Sequence, residues 1–371
     1  MILIDVIAGA RPNFMKIAPI LRAMRARELM GGPLRSRLVH TGQHYDARMS
    51  GDFFTQLGIP LPDENLEAGS GTQAEQTAAI MVRYEALLMC KPSALCVVVG
   101  DVTSTMACAI SAQKLRIPVA HVEAGIRSGD WSMPEEINRL VTDAITDIFF
   151  TTSVTANDNL RRAGVPDDRI KFVGNTMIDT LLANLDRLQP PVFWQEFNLQ
   201  PQQYVLLTLH RPANVDAGET LSAMLSAVAV AARKLPVIFP VHPRTRAKLA
   251  GLVNVPANLI VVDPQPYLEF NYLARNARVV VTDSGGVTEE TTVMGVPCMT
   301  LRASTERPET VTVGTNELLG VDPAAVAPAF DRLFDDGWKR GQIPEKWDGC
   351  AGERIISVLE TILTGRQTER V

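Results

Sequence analysis

Two consecutive runs of one pattern constrain this chain most: short, nearly continuous apolar segments rich in Val, Ile and Leu, each followed by residues with helical spacing. Ile2 to Ala8, Arg37 to Thr41, Leu95 to Gly100, Pro118 to Val122 and Ile148 to Thr152 form the first set, with amphipathic segments such as Ile17 to Leu29 and Thr72 to Met89 between them. Tyr204 to Leu209, Val237 to Val241, Leu259 to Val262, Val279 to Thr282 and Cys298 to Leu301 form the second. A strand with one face in water alternates polar and apolar residues, whereas these do not, so helices must cover both faces of a parallel sheet. The expectation is an α/β protein of two Rossmann-like, doubly wound domains with an interdomain cleft. At 371 residues the chain exceeds one ordinary core. The helix-like stretch from Gly174 runs into Pro190-Pro191, which places the domains at 1–180 and 181–371. Gly337 to Gly349 sets off a last helical segment, Gly352 to Leu363, which is free to pack back on the first domain (about 350–365).

Composition removes several functions. With 36 Lys and Arg against 41 Asp and Glu, the net charge of -5 offers no basic face to nucleic acid or anionic membrane. No apolar run approaches the roughly 20 residues that span a bilayer. The first strand has no basic segment before it, which argues against a signal peptide and for a cytoplasmic protein. Five cysteines, Cys90, Cys96, Cys108, Cys298 and Cys350, are scattered among mostly apolar neighbours and read as buried, reduced thiols. Neither C-x-x-C nor paired His spacing proposes a metal.

Carboxylates then collect where such sheets bind ligands, just beyond strand ends. The stretch VVVGDVTSTMACAISAQKLRIPVAHVEAGIRSGDWSMPEEINR delivers Asp101, Glu123 and Glu135 there, among Gly100, Gly125 and Gly129 and beside His121. One such acid reads equally as a helix cap. Three together point to proton chemistry. In the second half, Thr282-Asp283-Ser284-Gly285-Gly286 ends a strand and opens a helix whose free N–H groups suit a phosphate, with Gly285 and Gly286 permitting close approach. The same turn also reads as a tight turn capped by Asp283 or Ser284. Either Glu289 or Glu290, one turn later, could reach a ribose diol. Arg11 and Lys16 follow the first strand and suit phosphate oxygens. His44, His121, His210 and His242, four of the five histidines, fall at strand ends.

Ten motifs in order, GARPNFMK, TGQHYD, GSGTQAEQT, GDVTST, HVEAGIRSGDWSMPEEINR, FVGNTMIDTL, HRPANVD, PVHPRTR, TDSGGVTEE and TERPETVTVGTN, resemble the non-hydrolysing UDP-N-acetylglucosamine 2-epimerases over nearly the whole chain. The resemblance implies a glycosyltransferase-B-like fold, a homodimer, a UDP-sugar substrate, and interconversion of UDP-GlcNAc with UDP-ManNAc without metal or nicotinamide. It implies that Asp101, Glu123 and Glu135 handle protons and that His210 assists the departing phosphate. It also implies that Arg11, Lys16, His242, Ser284, Gly285 and Gly286 meet the diphosphate, Glu290 the ribose, Phe270 the uracil, and Arg307 the sugar-phosphate. Two departures stand out. His210-Arg211-Pro212-Ala213-Asn214 lacks the acid of the usual H-R-x-E-N, and Gln43-His44 is followed by Tyr45-Asp46-Ala47, which puts regulation by a second UDP-GlcNAc in doubt. TGQHYD and GSGTQAEQT lean towards the branch that includes epimerases of UDP-2,3-diacetamido-glucuronic acid. A retaining glycosyltransferase, a catalytically silent nucleotide-sugar binder and a hydrolysing relative are the competing readings. A binder would not need Asp101, Glu123 and Glu135 together, and a transferase would not need two opposed proton donors.

Overall fold

The computed structural model describes residues 1–42, 56–216, 218–241, 243–249 and 256–368. It contains two compact units, one formed by residues 1–183 with 345–371 and the other by 184–344.

The first unit holds a parallel sheet of seven strands: β1 (Ile2–Ala8), β2 (Leu34–His40), β3 (Glu64–Asn65), β4 (Leu95–Val99), β5 (Val119–Val122), β6 (Ile148–Thr151) and β7 (Ile170–Phe172), in the order β3-β2-β1-β4-β5-β6-β7. The connecting helices are α1 (Arg11–Leu29), α2 (Gln73–Cys90), α3 (Thr103–Lys114), α4 (Pro134–Ala144), α5 (Val154–Arg162) and α6 (Thr176–Asn184). Cys96 and Val98 of β4 enter one core with Ile80, Tyr84 and Leu88 of α2 and with Ala107, Cys108 and Ala112 of α3. β4 is buried at every residue, Leu95 to Val99, which is why it reads as an unbroken apolar run. The same sheet carries a buried ion pair. Asp5 and Arg37 are register partners on β1 and β2, and the guanidinium donates from Nε (2.7 Å) and Nη2 (2.8 Å) to the two carboxylate oxygens. The Tyr84 hydroxyl also donates to Asp5.

The second unit has six parallel strands: β8 (Val205–Thr208), β9 (Val237–Pro240), β10 (Leu259–Val262), β11 (Val279–Thr282), β12 (Cys298–Thr300) and β13 (Asn316–Leu318), in the order β10-β9-β8-β11-β12-β13. Its longer helices are α7 (Gly218–Ala231), α8 (Tyr267–Asn276), α9 (Gly285–Met294) and α10 (Val326–Phe334). Successive strand residues go to opposite cores, as a two-residue period requires. Val205, Leu207 and Phe239 meet Leu221, Leu225 and Val228 of α7 and Phe330 of α10, while Leu206, Ile238 and Val280 meet Leu273 and Ala274 of α8. Both sheets are therefore doubly wound, as the sequence pattern requires.

Helix α11 (Ala351–Thr368) returns to the first unit and packs on α1. Asp179 of α6 accepts from the amides of Ala351 (3.1 Å) and Gly352 (2.7 Å), two of the unpaired N–H groups at the start of α11. Cys96, Cys108 and Cys298 are buried free thiols, but Cys90 and Cys350 are exposed, because one ends α2 and the other lies just ahead of α11.

Candidate active site

In each sheet the chain reverses direction at one place, and the loops leaving the two strands there diverge to open a crevice. In the first unit that place lies between β1 and β4. Asn13 ties the two loops together. Its Oδ1 accepts from the amides of Gly9 (3.2 Å) and Ala10 (3.1 Å), and its Nδ2 donates to the Val99 carbonyl (2.9 Å). Lys16, one turn along α1, donates to Glu123 Oε2 at 2.6 Å, with both side chains buried. Gly100 carries a φ of +69°, and a Cβ there would stand 3.1 Å from the Lys16 ammonium and 3.8 Å from Glu123 Oε2. Glycine thus brings the β4 loop against the ion pair. Glu123 itself has a φ of +70°, a left-handed conformation that turns the chain sharply out of β5.

Asp101 follows Gly100 and is held by α4. Arg139 Nη2 donates to its Oδ2, and Asn138 Nδ2 donates to its carbonyl (2.8 Å). Glu135 lies three and four residues ahead of these two, hence on the same helix face, in the first turn of α4. Its neighbour Glu136 is instead structural. Burial alone would raise its pKa, but hydrogen bonds from Ser128, Arg139 and Gly129 outweigh that and hold it below the ordinary carboxylate range.

His121 lies beneath both acid-bearing loops and is fully buried. Its Nε2 meets the Gly100 carbonyl at 2.8 Å and its Nδ1 meets Asp143 Oδ1 at 2.7 Å. Asp143 Oδ2 accepts from the Gly125 amide (3.1 Å) and from Arg127 (2.6 Å). Burial opposes ionisation of Asp143, and the contacts with His121 and Arg127 overcome it, so its pKa is lowered.

In the second unit the reversal falls between β8 and β11, which run side by side with Thr208 opposite Thr282. His210 and Asp283 leave these strands, and Asp283 gathers the β8 loop. Its carboxylate accepts from the amides of His210 (3.1 Å) and Arg211 (2.9 Å) and from Asn214 Nδ2 (3.0 Å), and it faces His210 Nδ1 at 2.8 Å. Burial works against its charge, yet the His210 and Asn214 contacts prevail and lower the pKa. Asp283 is wholly buried, whereas the His210 side chain is 57% exposed.

Ser284, Gly285 and Gly286 begin α9. Ser284 is the N-cap but makes no side-chain cap, so the first helical amides are not closed off by it. Around this end lie the Arg302–Glu306 pair, bonded twice at 2.7 and 2.8 Å, with Arg211 3.5 Å from Glu306. Arg307 donates from Nε to Glu289. Glu290 faces α8, where Asn271 Nδ2 (3.3 Å) and the Tyr267 hydroxyl bond it, and burial pushes its pKa up to about 7. Phe270, on the same helix, is half-buried against the core.

The structure therefore gathers Asp101, Glu123, Glu135 and Lys16 in one unit, and His210, Ser284, Gly285, Gly286, Glu290, Arg307 and Phe270 in the other. Arg11 opens α1, while His242 and His44 lie outside the described residues. Asp143, Arg139 and Asp283 escaped the sequence reading as site residues. Only the position of Asp283 at the end of an apolar strand hints at it, and there a turn cap by Asp283 or Ser284 is an equal reading. Among the described residues no group of three His, Cys, Asp or Glu is placed to hold a metal ion, and no helix is long and apolar enough to cross a membrane.

Comparison with known proteins matches the chain to a family along most of its length. The family model described as UDP-N-acetylglucosamine 2-epimerase matches residues 28–360. A UDP-N-acetylglucosamine 2-epimerase of Methanocaldococcus jannaschii is 38% identical, covering 96% of this chain and 98% of that protein. A UDP-2,3-diacetamido-2,3-dideoxy-D-glucuronate 2-epimerase of Pseudomonas aeruginosa is 39% identical, over 95% of this chain and 98% of its own length. Among solved structures, the M. jannaschii UDP-GlcNAc 2-epimerase in complex with UDP-GlcNAc and UDP superposes with a TM-score of 0.85 at 39% identity, covering 96% of this chain and 99% of that one. Sequence, fold and the ordered motifs agree across nearly the whole length, and the chain belongs to the UDP-N-acetylglucosamine 2-epimerase family.

Proposed function

We propose that this protein is an isomerase that inverts C2 of UDP-N-acetylglucosamine to give UDP-N-acetylmannosamine. The observation that carries the reading is the acid group of the first unit, Asp101, Glu123 and Glu135, in a chain whose relatives are named as epimerases of this substrate. The hydrogen at C2 of an N-acetylhexosamine is weakly acidic, so removing it alone is costly. Elimination avoids the isolated carbanion. A carboxylate takes the C2 proton, C1 and C2 become doubly bonded, and the C1–O pair leaves on the β-phosphate oxygen of UDP. The intermediate is 2-acetamidoglucal. Re-addition returns a proton to C2 on the opposite face and the phosphate oxygen to C1. Two faces need acid–base groups on both sides, which is why three carboxylates serve here.

In this reading Lys16 lies against Glu123 and balances its charge, and Arg139 does the same for Asp101. Arg11, His242 and the SGG turn at 284–286 hold the diphosphate, and His210 assists its departure. Glu290 takes the ribose hydroxyls, Phe270 lies by the uracil, and Arg307 reaches the sugar-phosphate. The likeness to the P. aeruginosa relative favours a second substrate for the same chemistry, a UDP-2,3-diacetamido-glucuronate. A homodimer working in the cytoplasm completes the proposal, and a solution mass twice that of the chain tests its first part. The decisive experiment is an NMR time course of UDP-GlcNAc in heavy water. Appearance of the C2 epimer with deuterium at C2 is expected. Recovery of unlabelled, unepimerised substrate, with the diacetamido-glucuronate equally inert, would end the proposal.

A further inference from the structure

We infer that Asp283 is a positioning residue that fixes the proton arrangement of His210. The inference rests on the role of His210 proposed above and adds the group that makes the role possible. A histidine that is 57% exposed has no intrinsic reason to hold one orientation or one tautomer. Here a wholly buried carboxylate, already accepting from the amides of His210 and Arg211 and from Asn214 Nδ2, faces its Nδ1 at 2.8 Å. Those donors and its burial leave Asp283 an acceptor, so the atom opposite it must donate, and His210 Nδ1 carries a proton. Nε2 then lies on the far side of the ring, directed away from the protein framework.

The placement follows from the fold. β8 and β11 are neighbours at the point where the sheet reverses, so the residues leaving them meet. Asp283 is also the residue just before Ser284 and the helix start at Gly285. In the elimination, the C1–O bond breaks and its electron pair goes to the β-phosphate oxygen. An N–H on Nε2 of the doubly protonated ring donates to that oxygen as its charge grows, while Asp283 opposes the ring's positive charge. With the other tautomer, Nδ1 would turn its lone pair to the carboxylate, and the arrangement would repel itself. Orientation by a carboxylate behind a working histidine is worth about tenfold to a hundredfold in comparable sites and more where the tautomer inverts.

The test needs no variant of Asp283 for its first part. Long-range proton–nitrogen NMR of the histidine-labelled protein, with the His210 signals assigned by their loss in His210→Gln, should show Nδ1 protonated. A neutral ring protonated only on Nε2 overturns the inference. The second part is kinetic. Asp283→Asn removes the negative charge that opposes the ring's positive charge, so it should lower kcat on the order of a hundredfold, with KM and UDP affinity changed less than about threefold. In the His210→Gln background the same substitution should add little, because its effect passes through the ring. A folded Asp283→Asn protein with parental kcat would refute the inference while leaving epimerase activity standing. A parent protein inactive on both UDP-sugars would instead strike the function, and the Nδ1 measurement would still decide the placement of the proton.

Discussion

Replacing Asp101 by Asn, or Glu123 or Glu135 by Gln, keeps each side chain's shape and removes only its capacity to take a proton. Each should lower turnover roughly a hundredfold or more, while UDP affinity hardly moves; three variants within a few-fold of the parent would mark the acids as structural. Glu290 makes a different prediction, one in pH. Its carboxyl is pushed up to about 7 by burial, from 4.5. The folded chain therefore binds this proton more tightly than the unfolded one. The stability it contributes, about 3 kcal/mol, is fully present below pH 4.5 and is lost as pH rises through 7. Ribose hydroxyls donate to the ionised form, so UDP-GlcNAc should bind more tightly as pH rises towards 7. Calorimetry on the turnover-deficient Asp101→Asn protein should show that gain, and Glu290→Gln should flatten it. The acids themselves were legible because strand ends are legible. Their partners were not: Arg139 reaches Asp101 across 38 residues, His121 reaches Asp143 across 22, and Asp283 reaches His210 across 73. Nothing local in the sequence marks such pairs.

Strands were readable where the sheet is deepest. Leu95 to Val99 is buried on both faces and reads so, whereas β3, β7 and β13 are two or three residues long, lie at or beside the sheet edges and carry polar residues such as Glu64, Lys171 and Glu317. β2 begins at Leu34, ahead of the expected Arg37, because Arg35 and Ser36 disguise its start and Arg37 is neutralised by its register partner on β1. That pair allows a test. Asp5→Ala leaves a buried guanidinium without its carboxylate and should destabilise the first unit by about 3 to 5 kcal/mol, lowering its melting temperature by roughly 10 °C. Changing Asp5 to Leu and Arg37 to Met together should cost clearly less than Asp5→Ala alone. If the single variant melts with the parent, the pair contributes nothing to the sheet. The capping carboxylate of Asp179 shows the same logic at a helix end: it was invisible in sequence because the amides it serves lie 172 and 173 residues away.

At the scale of the molecule, the two doubly wound sheets divide the labour: the three proposed carboxylates belong to one unit and the proposed ribose and uracil groups to the other. Substitutions should therefore sort by unit. Glu290→Ala in the second should weaken UDP by roughly 1.5 to 3 kcal/mol, the worth of a hydrogen bond to a charged group, while the carboxylate variants of the first leave UDP binding intact. Calorimetry showing both classes alike would contradict that division. The division is not sequential, however, because residues 345–371 rejoin the first unit after 184–344 have made the second. During synthesis the order of completion is thus the reverse of the order of appearance. The second unit is one unbroken segment and can close as soon as it leaves the ribosome. The first must wait, with the α1 face that α11 covers still open and the Asp179 carboxylate not yet matched to its two amides. A chain released from the ribosome after residue 344 should resist protease through the later-made unit and be cut in the earlier-made one.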